Sequence, residues 1–425
     1  MPIRFLHILS LLLLLMPALA RAEDQPPGLV DRVLSLLGHE NLPRMEAPVD
    51  PNAPPPAPAP APPPAQRRSG FEIGSHFLPI YNMDRQGEGP PQMLPFFSSA
   101  PVEEAHPGVR LLVIMIPDAD RDAARAYAYA RGAQDQASQR HPNWGAGRAV
   151  VFAPQFLNAE DIAAQAGNWP DGGASLLRWA GPGWVYGGES VPPPDARGPM
   201  QGSSALSSYA VLDFTLLALA RREVFPDLQR VVIAGAGAGG DFVQRYAALG
   251  IAPDILANDG IALRFVAANP YSYMYFDKPR PTPLAADAQR PASVPDFAEP
   301  KPGFCPPYNT YPYGIEALPP YARKQGVMDI RLRFDARPVI YLAGAQAAHP
   351  LTDATPQGCA LALQGGTVVE RAKFYFSALQ QLYGGGDLAR NQRLYLLPNL
   401  NEDAGMLWQS SCAGAALFGD GQCKE

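Results

Sequence analysis

Residues 231–241, Val231-Val232-Ile233-Ala234-Gly235-Ala236-Gly237-Ala238-Gly239-Gly240-Asp241, read as a strand, a glycine-rich turn and the start of a helix. Two kinds of chemistry use that arrangement. Gly235, Gly237 and Gly240 have the spacing G-x-G-x-x-G, in which backbone amides at a helix amino terminus cradle a pyrophosphate. The surroundings fit a dinucleotide poorly: the next expected strand, Arg264–Ala268, runs into Asn269 rather than an acid for a ribose, and the turn lies deep in the domain. Gly235 and Gly239 instead match the flanks of a nucleophile elbow, G-x-S-x-G, whose tight turn holds a nucleophile in a strained conformation. In that register Gly237 stands where the serine would be, and it carries no oxygen.

The elements that would position this turn alternate regularly. Leu111–Ile116, Ala149–Phe152, Arg230–Ala234, Phe265–Ala268, Val339–Leu342 and Leu394–Leu397 are short apolar runs of the kind buried in parallel sheets. Leu206–Arg222, Asp241–Leu249 and Val368–Tyr383 have helical patterning and serve as crossovers. The pattern predicts an α/β fold, a mostly parallel central sheet with helices on both faces. A Pro/Tyr-rich stretch, 270–333, interrupts it and is expected to be a lid or insertion over the carboxyl ends of the strands.

The expected domain, 69–425, follows three segments of different character. Residues 1–22 combine Arg4, an apolar run from Phe5 to Leu15 and a small-residue site ending Ala20-Arg21-Ala22, the layout of a secretory signal peptide cleaved near Ala22. In 23–46 a short amphipathic helix is expected, with Leu29, Val30, Val33, Leu34 and Leu37 on one face. So short a helix needs a surface, either its own domain or a docking partner or membrane surface. Residues 47–68 form a Pro/Ala-rich linker; ten of the eighteen residues from Ala47 to Pro64 are proline. Such a rod reaches about 50 Å at roughly 3.1 Å per residue.

Without its leader the chain has 32 basic residues against 40 acidic ones, a net charge of −8, which argues against nucleic acid as a partner. No segment after the leader has the apolar length of a membrane span. A periplasmic or secreted location makes Cys305, Cys359, Cys412 and Cys423 disulfide candidates, with three connectivities open. No metal-ligand spacing is visible and no cofactor is expected.

Several blocks in consistent order sharpen this reading. Ala153-Pro154-Gln155-Phe156, Trp179 with Gly183-Trp184, Ser207-Ser208 with Asp213, and Phe225-Pro226 through Gly239-Gly240 to Gln244-Arg245-Tyr246-Ala247 are among them. Asn269-Pro270-Tyr271-Ser272-Tyr273, Cys305-Pro306 with Tyr308-Asn309, and Tyr313-Gly314 follow. From about 110 to 418 the chain resembles secreted serine hydrolases of the α/β-hydrolase fold, whose elbow reads GHSAGG followed by QRYA. The resemblance implies a serine, a histidine in the loop after the last strand and an acid after the preceding strand. This sequence departs at each of those positions. Gly237 replaces the serine, Glu402 the histidine and Ala347 the acid; the oxyanion turn, expected as His-Gly, reads Pro117-Asp118, and proline has no amide hydrogen. Cys305 and Cys359 lie in blocks that resemble the family, which implies a bridge between them, while Cys412 and Cys423 are expected to close a carboxyl-terminal loop.

The leading expectation is therefore a catalytically degenerate hydrolase-like protein, a pseudoenzyme that binds a small molecule, an envelope polymer or a periplasmic protein. Ligand-contact candidates are Gly237, Ala238, Glu402, Asp403, Trp179 and Trp184, the two tryptophans also being ordinary candidates for core packing. The helix face of Leu29, Val33, Leu34 and Leu37 is a candidate docking element. The alternative is an active esterase or lipase with relocated groups, for which Glu402, Asp403 or His349 would supply a base; a dinucleotide binder through Gly235, Gly237 and Gly240 ranks third.

Overall fold

The computed structural model describes residues 71–81, 91–141, 144–145, 147–169, 171–193, 205–282, 295–348, 356–419 and 423. The expected leader, amphipathic helix and linker, and His349, lie outside the described residues. The runs Leu111–Ile116 and Ala149–Pro154 are buried at every position, as strands covered on both faces must be. Among the described residues ten strands form: β1 (His76–Ile80), β2 (Gln92–Ser98), β3 (Leu111–Ile116), β4 (Ala149–Pro154), β5 (Arg230–Ala236), β6 (Ala262–Ala268), β7 (Arg280–Pro281), β8 (Phe297–Ala298), β9 (Val339–Gly344) and β10 (Gln392–Leu397). Eight of them make one sheet in the order β1-β2-β4-β3-β5-β6-β9-β10, and β7 pairs with β8 apart from it. From β4 to β10 the strands are parallel, while β2 runs antiparallel to both β1 and β4. This is the α/β-hydrolase fold.

Helices cover both faces. The ones that matter to the site are α1 (Ala123–Arg140), α2 (Ala159–Ala163), α3 (Ser208–Leu219), α4 (Ala238–Leu249), α5 (Val368–Tyr383), α6 (Ala404–Trp408) and α7 (Ser411–Phe418). Strand side chains alternate between two cores. Leu112, Ile114, Val231, Ile233 and Phe265 face one, with Tyr209 of α3, Phe242 and Tyr246 of α4 and Tyr375 of α5. Leu111, Val113, Met115, Val232 and Val266 face the other, with Trp408 of α6 and Leu417 of α7. Helix α1 packs there through Ala123, Ala126, Ala130, Ala133 and Ala137, a stripe of small side chains that lets its backbone approach the sheet.

Part of the stretch 270–333, expected as a lid or insertion, is built into the core. Tyr273, Met274, Tyr275 and Phe276 are buried in the larger core, and α4 binds the stretch directly. Gln244 accepts from the Met274 amide at 3.1 Å, and Arg245 donates to the Ser272 hydroxyl at 2.8 Å and the Pro312 carbonyl at 3.0 Å. Four apolar or aromatic side chains in succession build Tyr273–Phe276 into the core. Cys305 bridges to Cys359 and Cys412 to Cys423, the pairings expected above. No helix among the described residues is long and apolar enough to cross a membrane.

Candidate functional site

The glycine turn is built as an elbow. Gly237 sits between β5 and α4 with φ 57° and ψ −121°, a conformation that strains any L-residue. Close packing fixes the rest of the turn: a Cβ at Gly239 would lie 2.6 Å from the carbonyl oxygens of Ile116 and Pro117, so the elbow rests directly on the end of β3. The Gly237 amide is anchored by the Ala268 carbonyl of β6 at 3.0 Å.

The space in front of Gly237 is occupied. A Cβ built on it would meet the Asp118 carboxylate, at 2.4 Å from Oδ1 and 2.7 Å from Oδ2. Oδ1 accepts hydrogen bonds from the Ala119 amide at 2.7 Å and from the Ala238 amide, the first of α4, at 2.8 Å. The Tyr271 hydroxyl donates to Oδ2 at 3.4 Å. Burial, and then the negative charge of Asp118, push the Tyr271 phenol well above its usual range, so it is a neutral donor here. The residue after the nucleophile supplies an oxyanion-hole amide in an enzyme of this fold; in this chain a carboxylate of the protein itself holds that amide.

Residues further along the turn fix the position of Asp118. Its carbonyl accepts from the Arg121 amide at 2.8 Å. Arg121 adopts φ 62°, uncommon for a side-chain-bearing residue, and its guanidinium makes a two-pronged pair with Asp161 of α2, at 2.5 and 3.2 Å. Both side chains are buried, 9% and 3% exposed, so the pair is shielded from screening. Asp161 is also the third residue of an α2 capping box with Asn158. Sequence reasoning missed Arg121, Asp161 and the hydroxyl of Tyr271. Tyr271 lay within a family-like block, whereas no spacing signal joins Arg121 to an acid 40 residues away.

Ala347 and Glu402, which the sequence resemblance sets at the acid and histidine positions, fall on adjoining loops. Asn269, at the end of β6, accepts from the Gly344 amide at 2.9 Å and donates to the Asn401 carbonyl at 3.1 Å. Ala345 and Gln346 donate to the carbonyls of Leu397 and Leu400. The turn carrying Ala347 and the loop carrying Glu402 are thereby joined beyond β9 and β10. Ala347 is fully buried, so this turn presents no polar side chain there. Glu402 is half-buried, and its charge is one of those acting on Tyr271. Asp403 is exposed and caps α6, accepting from the Met406 amide at 2.8 Å, which gives it a structural task.

Two ligand-contact candidates are corrected. Trp179 and Trp184 are each 1% exposed; Trp184 stacks on Phe156 at 5.2 Å, and the Trp179 indole donates to the Gly188 carbonyl. Their bulk fills the core between the Gly181-Pro182-Gly183 turn and α4. A cavity of about 210 Å³ does open beside Asp118, lined also by Asp120, Asp122, Arg125, Tyr129 and Trp408. Arg125 pairs with Asp120 and, at 3.6 Å, with Asp122, which caps α1.

No family model matches the chain, and no curated protein matches it in sequence. Solved structures similar to it include a poly(3-hydroxybutyrate) depolymerase from Bordetella parapertussis, at 18% identity over 83% of this chain and 93% of that one, with a TM-score of 0.48. A poly(aspartic acid) hydrolase from a Sphingomonas species shares 17% identity over 82% of this chain and 99% of its own, at a TM-score of 0.45. A siderophore hydrolase from Aspergillus nidulans shares 12% identity over 82% and 96%, at 0.38.

Proposed function

We propose that this protein is a non-catalytic α/β-hydrolase-fold protein of the periplasm or cell exterior, one that binds a ligand or partner at the carboxyl ends of its sheet and does not cleave it. The observation that carries the reading is the Asp118 carboxylate, seated on the Ala238 amide and in the space a nucleophile at Gly237 would need. Gly237, Ala347 and Glu402, standing at the serine, acid and histidine positions, agree with it, as does the absence of any histidine after His349. The two disulfides support an oxidising compartment.

The active-hydrolase reading, with Glu402 or Asp403 as a base acting on water, would still need a free oxyanion donor at the elbow, and Asp118 stands in its way. Its Oδ1 already takes the amide that should stabilise the developing oxyanion, so a substrate carbonyl would find that donor engaged. The dinucleotide reading meets the same obstacle, because a phosphate at the α4 amino terminus would face a carboxylate at contact distance. The cavity beside Asp118 is the candidate ligand site.

Purified protein is expected to leave p-nitrophenyl acetate and butyrate at their spontaneous rates and to escape labelling by a fluorophosphonate. Turnover lost on Glu402→Gln or Asp118→Asn would replace this reading with the active one.

A further inference from the structure

The geometry points to Asp118 as an internal ligand: the amides of Ala119 and Ala238 and the hydroxyl of Tyr271 form a carboxylate-binding cradle, which the protein fills with its own side chain. This inference rests on the non-catalytic reading of the same site and says what the site now recognises. The cradle has the form a planar two-oxygen anion needs. One oxygen takes two amides at 2.7 and 2.8 Å, distances normal for charge-assisted bonds, and the other faces the Tyr271 hydroxyl. One of the amides is the first of a twelve-residue helix, where the helix dipole favours negative charge. The occupant fits because residue 237 has no Cβ; any side chain there would overlap it.

The cradle does not depend on its occupant for its shape. The Asp118 backbone is held through its carbonyl by the Arg121 amide, and Arg121 by Asp161 and by the Ala119 carbonyl, to which it donates at 3.1 Å. The Ala238 amide is fixed by the packing of the elbow on β3 and by Gly237 on the Ala268 carbonyl. Removing the carboxylate at Cγ therefore leaves the three donors around the space it occupied, at a position that is only partly buried. In the native protein any free carboxylate must compete with a group tethered one methylene from the backbone, at a high effective concentration. Asp118 is in this sense an autoinhibitory contact, and small monocarboxylates such as formate and acetate are the ligands it excludes.

The test uses the full chain with Asp118→Ala. Sodium acetate and formate are titrated against sodium chloride at matched ionic strength, with the melting temperature and calorimetry as readouts. A saturable rise in melting temperature is expected with acetate and formate in Asp118→Ala and not in the wild type, with acetate affinity falling several-fold when Tyr271→Phe is added. An Asp118→Ala protein that responds to acetate no more than to chloride overturns the inference. If that variant does not fold, amide hydrogen exchange in the wild type decides the matter: strong protection of both Ala119 and Ala238 supports the cradle, and exchange of both at the rate of open loops overturns it. Ester turnover by Asp118→Ala would overturn the non-catalytic reading instead, whereas an inert variant without acetate binding removes this inference alone.

Discussion

Substituting Gly237 by alanine should be far more damaging in the wild type than in a protein lacking the Asp118 carboxylate. The added Cβ would lie 2.4 and 2.7 Å from the two carboxylate oxygens. Ordinary contact begins near 3.4 Å, so the group must retreat by about 1 Å, enough to break bonds of 2.7 and 2.8 Å to the Ala119 and Ala238 amides. Hydrogen bonds to charged groups contribute about 1.5–3 kcal/mol each. Asp118 is only partly buried and regains water as it moves, so about 2 kcal/mol for the pair is the reasonable total. The left-handed backbone adds about 1–3 kcal/mol for any L-residue, in either background. Gly237→Ala should therefore cost about 3–5 kcal/mol in the wild type but only the 1–3 kcal/mol backbone part in Asp118→Ala, leaving a coupling near 2 kcal/mol in a double-mutant cycle. Urea unfolding followed by circular dichroism measures all four proteins. Equal costs in the two backgrounds, within about 0.5 kcal/mol, would refute the steric argument.

Three further outcomes are expected. Arg121→Met should destabilise by about 3 kcal/mol, because it strands a buried Asp161 carboxylate, and a chemical-denaturation loss under 1 kcal/mol would deny that pair its role in holding the turn. Burial lifts the Asp213 carboxyl above its ordinary value of 3.8, with Tyr246, Tyr321 and the amides of Ala252 and Ile251 acting in the opposite direction. The folded state thus holds that proton more tightly than the unfolded one, and the group's contribution to stability falls as pH rises from about 3.8 through the raised folded value. Asp213→Asn should accordingly cost more at pH 4 than at pH 7, as read from urea midpoints. Finally, a chain beginning at Ser69 should fold with an unchanged melting temperature if the Leu29, Val33, Leu34 and Leu37 face docks on a partner; a clear drop would make that segment a strap on the domain.

The parallel core of the sheet was legible because each of its strands is a short apolar run flanked by turn residues, and Leu111–Ile116 and Val368–Tyr383 fall at their expected bounds. Strands β1 and β2 were missed because each contains a proline, Pro79 and Pro95, which reads as a break and is tolerated here near the edge of the sheet. Helix α1 escaped because its buried stripe is alanine, too weakly apolar to stand out from its surroundings. At the site, residue types could be assigned from sequence: no oxygen at 237, no imidazole at 402, an acid at 118. The direction of the Asp118 carboxylate could not, since it follows from a positive φ at Arg121 and a buried ion pair between distant segments. The tryptophans were ambiguous for a similar reason, as a glycine-flanked indole looks alike in sequence whether it lines a pocket or fills a core.

The seating of Asp118 against Gly237 also bears on directed evolution. On the non-catalytic reading proposed above, a selection for esterase activity that moves through this sequence one substitution at a time should meet no rising first step. Serine at 237 alone collides with the carboxylate and still lacks a base, while loss of the carboxylate alone frees the amides yet supplies nothing to attack. Libraries randomising positions 118 and 237 together, with 347 and 402 varied in the same molecules, are expected to cross that valley, whereas error-prone methods that sample single changes should stall at its edge.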